Sequence, residues 1–220
     1  MIFLARVLGL AVLLSLCSAP VYAQPLSEGL SLGEDRYFLD GEELRVLRPG
    51  GKLGKIEASS VGTPNRLVKP ENWRDTLLVF GADGVAALTA QGIKPIEFVT
   101  PPEPSSEEVK NTFSLWGDKV VHYTDKQKAV QWVHQDQSGT VSPGDGDFKG
   151  PFISGDSMLF LTAQDDYVLF RSHSPGESKT ERLPFPASEA RTTEVDGGYV
   201  IWSPTSQTVV KAGGRSFELS

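Results

Sequence analysis

Short apolar runs, each broken by Gly, Pro, Asp or Ser, alternate along the chain from about residue 26 to its end. The clearest instance is residues 116–133, WGDKVVHYTDKQKAVQWV. Two runs rich in Val, Trp and Tyr, residues 119–124 and 128–134, flank the polar break Asp125-Lys126-Gln127. β-branched and aromatic residues fit a pleated, half-buried surface, so this pattern predicts two strands joined by a tight turn.

The unit repeats. Asp35 before RYFLD, Asp75 before TLLVF, Asp118 before KVVHY, Asp156 before SMLFL and Gly197 in DGGYVIW recur every 38–43 residues. A short apolar entry precedes each anchor, at 30–32, 67–68, 112–115, 151–153 and 192–195. A second run follows it (EELRVL, GVAALTA, KAVQWVH, DYVLFRS, QTVVKA) and then a third (KIE, PIEFV, GTVS, ERLPF, SFEL). Four short strands per repeat of roughly 40 residues, with no helical periodicity, is the content of a β-propeller blade. The opening strands TLLVF, VVHY, MLFL and YVIW are apolar on both faces, as a strand sandwiched between neighbours must be. The predicted fold class is therefore all-β, a five-bladed β-propeller, with a two-sheet β-sandwich as the alternative because evenly spaced short strands also suit that class. The acidic stretch 101–108, PPEPSSEE, reads as a surface loop that lengthens one interval without breaking the repeat.

The first residues do not belong to this pattern. Arg6, an apolar run over 7–16 and small residues leading to Val21-Tyr22-Ala23 predict a secretory signal peptide over 1–23, with a single domain over 24–220. Cys17 raises a lipid anchor, but Leu16 stands where a lipidation site wants a small residue, so no stable membrane insertion of the mature chain is expected. Cys17 is the chain's one cysteine, so the domain has to hold together by packing without disulfides. The net charge of −7, with basic residues scattered singly among acids, excludes the basic stripe that nucleic acid requires.

The runs FSLWGDKVVHYTD, FISGDSMLFLT and ENWRDTLLVFG resemble the blades of TolB-like and WD-like propellers, in which a strand leads through a Gly or Asp turn into an apolar strand. The chain lacks the Ser-Pro-Asp-Gly turn of the former in every repeat, and the Gly-His and Trp-Asp signatures of the latter. The resemblance implies the architecture only.

Few residues point to chemistry. Gly155-Asp156-Ser157-Met158 resembles a GDS-type nucleophile block, yet no Asp-x-x-His follows it, and it coincides with a repeat anchor. Asp145-Gly146-Asp147 has too few carboxylates for a calcium cage, and His122, His134 and His173 do not form a zinc-spaced set. The anchor acids Asp35, Asp75, Asp118 and Asp156 read first as turn residues accepting backbone N–H bonds, and second as a ring at one mouth. Of Trp73, Trp116, Trp132 and Trp202, the first two stand just before successive anchors and share one rim, where they serve either blade packing or a partner. We expect no catalytic residue, metal or cofactor. The expected function is that of a periplasmic or secreted, non-enzymatic protein that binds a protein partner through a rim containing Trp73, Trp116, Asp75 and Asp118, as an envelope-complex subunit or an inhibitor or immunity protein. A carbohydrate-binding lectin is the alternative, and a glycosidase a more distant one.

Overall fold

A computed structural model of the chain describes residues 29–103, 106, 109–124, 128–195 and 198–213. The expected leader with Cys17, the expected turn at 125–127, the expected anchor Gly197 and the run SFEL lie outside the described residues. The described residues are all-β and form five antiparallel sheets. Four strands make the first: β1 (Leu30–Leu32), β2 (Asp35–Asp40), β3 (Glu43–Arg48) and β4 (Lys52–Ile56). The second holds β5 (Pro64–Val68), β6 (Leu77–Gly81), β7 (Val85–Thr89) and β8 (Gly92–Pro95). The third holds β9 (Asn111–Trp116), β10 (Lys119–Thr124), β11 (Val130–His134) and β12 (Gln137–Val141). The fourth comprises β13 (Phe148–Ser154), β14 (Ser157–Thr162), β15 (Asp166–Arg171) and β16 (Ser174–Arg182), and the fifth β17 (Arg191–Val195), β18 (Gly198–Ser203) and β19 (Thr208–Gly213). Each sheet is a meander in chain order, one per sequence repeat, so the two-sheet alternative does not describe the molecule.

The doubly apolar strands explain how the sheets associate. Alternate side chains of a strand point to opposite faces. From β6, Leu77 and Val79 join the core shared with the first sheet, while Leu78 and Phe80 join the core shared with the third. In β10, Val120 faces back and Val121 forward; in β14, Met158 and Phe160 face back and Leu159 and Leu161 forward. Four apolar clusters thus fill four seams between successive sheets. Each fully buried side chain of this kind contributes about 1.5–3 kcal/mol. The cooperative unit is the stack, since no sheet buries both of its faces alone.

Three sequence expectations shift. The apolar residues of PIEFV and ERLPF lie largely beyond the fourth strands, which run earlier as β8 and β16. Ile96, Phe98, Leu183 and Phe185 instead join the apolar cores between neighbouring sheets. Asp35 is not a turn residue: Leu32 pairs with Asp35 across the two-residue turn Gly33-Glu34, so the equivalent of Asp118 is Glu34. In the third and fourth sheets the same turn is Gly117-Asp118 and Gly155-Asp156. Gly33, Gly117 and Gly155 have φ of 61°, 60° and 52°, the conformation that a tight hairpin turn demands at its first central position. Finally, Asp75 sits in no such turn, because the second sheet replaces it with a longer connection over 69–76.

Candidate functional site

That connection builds the most elaborated surface of the molecule. Its Trp73 and Thr76 amides bond the Pro70 and Trp73 carbonyls, and Asp75 adopts φ 49°. The segment leans over the neighbouring sheet. Trp73 Nε1 donates to the Asp118 carbonyl at 2.7 Å, Asn72 Nδ2 donates to Asp118 Oδ2 at 3.2 Å, and Gln135 Nε2 donates to the Asn72 carbonyl at 2.9 Å. The next seam repeats part of this device. Trp116 Nε1 donates to the Asp156 carbonyl at 2.8 Å, and the Gly117 amide bonds the Gly155 carbonyl at 2.6 Å. The long connection and the anchor turns of the third and fourth sheets therefore lie side by side on one rim.

These contacts decide what the four residues of the expected rim do. Trp73 and Trp116 are 6% and 0% exposed, so their rings pack between sheets and their indole N–H groups tie each link to the anchor turn of the next sheet. Sugar stacking needs an exposed aromatic face, which neither offers. Asp75 is exposed in the long connection, and Asp118 lines the rim beside it. Trp132 is half-buried with Lys119 Nζ 5.6 Å from its ring centre, and Trp202 lies exposed on the outer face of the fifth sheet.

A groove of about 410 Å³ opens under the long connection, lined by Glu71 and Asn72 of that segment, Asp118 and Lys119 of the third sheet, and Asp156, Ser172 and His173 of the fourth. Smaller hollows continue it on both sides, one sharing Asn72 and running to Gln135, the other sharing His173 and running to Lys179. Together they form a furrow across three sheets that combines polar side chains with apolar surface. Each anchor carboxylate is held by one cation and lies beside a histidine ring. Lys119 Nζ lies 3.1 Å from Asp118 Oδ1 and His134 Nε2 3.5 Å from its Oδ2; Arg171 Nη1 lies 3.1 Å from Asp156 Oδ1 and His173 Nδ1 3.9 Å from its Oδ2. Partial burial pushes the Asp118 carboxyl up, but Lys119, His134 and Asn72 outweigh it and hold the group below its ordinary value. The furrow is thus lined by oriented donors and acceptors whose charges are nearly balanced locally, an arrangement suited to hydrogen-bonding a polar ligand.

The other candidate chemistry is dispersed. Ser157 is fully buried and bonded to Arg171, which has no capacity to accept its proton. His122 is buried between Phe98 and Phe113, with Nε2 2.9 Å from Asn111 Oδ1, and desolvation lowers its pKa to about 4. Among the described residues no three His, Cys, Asp or Glu side chains gather to hold a metal ion, and no helix is long and apolar enough to cross a membrane. Asp145 and Asp147 bracket a glycine turn. Sequence reasoning missed Glu71 and Asn72, because equating Asp75 with the other anchors concealed the longer connection; it weighed His173 only as a metal ligand, and Gln135 not at all. The signal was present in the eight positions between Val68 and Leu77, whose composition, KPENWRDT, is that of a loop.

No family model matches the chain, and no curated protein is similar to it. Among solved structures, it is similar to PorZ, a surface component of the type-IX secretion system of Porphyromonas gingivalis, at 11% identity over 84% of this chain, with a TM-score of 0.38. It is similar to Kluyveromyces lactis Hsv2 at 12% identity over 77% of this chain, with a TM-score of 0.43. The extracellular domain of a putative one-component system of B. thetaiotaomicron aligns at 10% identity over 88% of this chain, with a TM-score of 0.45. The chain spans 27%, 55% and 28% of their respective lengths. At these TM-scores the likenesses carry no argument about function.

Proposed function

We propose that this chain is an exported, non-enzymatic binding protein whose five sheets stack as successive blades of the propeller type and whose rim furrow holds a protein partner. The observation that carries the reading is the connection 69–76: the first, third and fourth sheets make the same link with two residues, whereas the second uses a long one that roofs a groove edged by polar side chains. Such an overhang is not needed to pack the sheets, apart from the Trp73 staple. Loops of this kind on a rigid scaffold are where binding residues concentrate. Export rests on the leader over 1–23. Envelope-complex subunits and inhibitor or immunity proteins fit the reading equally.

Site-specific photo-crosslinking in an envelope extract tests it. Crosslinkers at Asn72 and His173 report the furrow, and one at Ser188 reports the opposite end of the sheets. The expected result is one discrete adduct from the two rim positions, competed by excess unmodified protein and weakened several-fold by Glu71→Arg. Equal labelling from both ends, or none from the rim, would sink the reading.

A further inference from the structure

The middle three sheets bury both faces, whereas the first and fifth use one each. Tyr37, Leu44 and Val46 pack toward the second sheet, and Tyr199, Ile201 and Ala212 toward the fourth. The opposite faces are not those of ordinary solvated sheets. On the first, register places Phe38 opposite Arg45 and Leu47 opposite both Arg36 and Leu53. On the fifth, it places Trp202 opposite both Arg191 and Val209, with Val200 in the adjacent same-face row. Leu47, Leu53, Trp202 and Val209 are 39%, 59%, 38% and 46% exposed, and among the described residues they are four of the five large hydrophobics left open to solvent. Exposed apolar side chains scattered singly need no explanation; a concentration on the two terminal faces of a stack does.

We infer that these two faces mate between copies of this chain, the outer face of the fifth sheet in one molecule packing on the outer face of the first sheet in a second. The argument is continuity of the repeat. At each of the four internal seams, the forward face of one sheet packs on the backward face of the next. Among the described residues no sheet packs on the fifth sheet's outer, forward face, and none packs on the first sheet's outer, backward face. They are a matched pair by construction. Within one molecule no apolar cluster joins them among the described residues, and the exposures above show them open. The acids at the β2–β3 turn, Asp40 and Glu43, are already paired with Arg45 and Lys55 of their own face, so the mating rests on the apolar side chains. An interface of this type joins different patches on the two partners, so it closes into a ring or extends as a chain.

Sedimentation velocity on the purified protein, from about 1 to about 100 μM, tests the inference. The wild type is expected to sediment above the mass of one chain, with association strengthened by concentration. Trp202→Glu and Leu47→Glu each spoil one of the two patches and are expected to weaken association at least tenfold. An equimolar mixture of the two variants still contains one intact patch of each kind, so it should recover a heterodimer that neither variant forms strongly alone. Circular dichroism establishes that each variant is folded; if one is not, Val209→Glu or Leu53→Glu replaces it. A wild type that stays monomeric throughout, variants that associate unchanged, or a mixture that recovers nothing would each overturn the proposal.

Discussion

His122 shows how one side chain can be chosen for packing and yet set a pH limit. Its ring stacks on Phe113 with centroids 4.9 Å apart, its Nε2 meets Asn111 Oδ1, and the Gln131 amide lies 3.4 Å from its Nδ1. These partners fit the neutral ring with the proton on Nε2, and desolvation holds the folded-state pKa at about 4 against an ordinary 6.5. The sign follows directly. Between pH 6.5 and 4 the unfolded chain binds a proton that the native chain refuses, so stability is full above pH 6.5 and declines as the pH falls. The expected loss across that window is about 3 kcal/mol. Urea unfolding of His122→Gln at pH 7 and pH 4.5 checks this: the variant should lose less stability than the wild type over the same interval, and parallel losses would count against it.

At the scale of elements, the hairpin turns were legible as Gly-Asp or Asp-rich breaks, but their close approach to one another was not. Gly117 and Gly33 occupy equivalent turns with nearly equal φ, 60° and 61°. A Cβ on Gly33 meets no atom within 4 Å, whereas one on Gly117 falls 2.2 Å from Ser172 Oγ and 2.8 Å from its Cβ. Gly33→Ala should therefore cost only the backbone term of about 1 kcal/mol, and Gly117→Ala roughly 2–3 kcal/mol because the third and fourth sheets must also part. Chemical denaturation of the two variants side by side measures the difference; equal costs would mean that the seam yields freely. The long connection was hidden for the opposite reason. Its acid at position 75 mimics a repeat anchor in spacing, and only the register of β5 and β6 separates the two cases.

For the molecule as a whole, stability should be graded along the stack. β6, β10 and β14 lie in sheets packed on both sides, while β2 and β18 lie in sheets packed on one. Opening a terminal sheet exposes one seam, and opening a middle sheet exposes two, so local unfolding is easier at the ends. Native-state hydrogen exchange at about 10 μM protein should give slowest exchange in the amides of Leu78, Val121 and Leu159. Exchange at Phe38 and Val200 should be at least tenfold faster. Uniform protection across the five sheets would indicate that the stack opens only as a unit.

What the sequence determined by itself was the repeat: the spacing of its anchors and the doubly apolar strands dictate an all-β stack of short meanders, because a strand with no polar face must be covered on both sides. The order of strands within each sheet followed from chain adjacency. The tertiary structure decided what lay between repeats. It turned Trp73 and Trp116 from candidate contacts into staples, since an indole N–H two residues before an anchor reaches a carbonyl of the next sheet only once the sheets are stacked. It also gathered Asn72, Asp118, Asp156 and His173 into one furrow, which no spacing announces because they come from three different sheets. And it left the first and last faces open, for nothing in a repeat pattern states whether its ends meet.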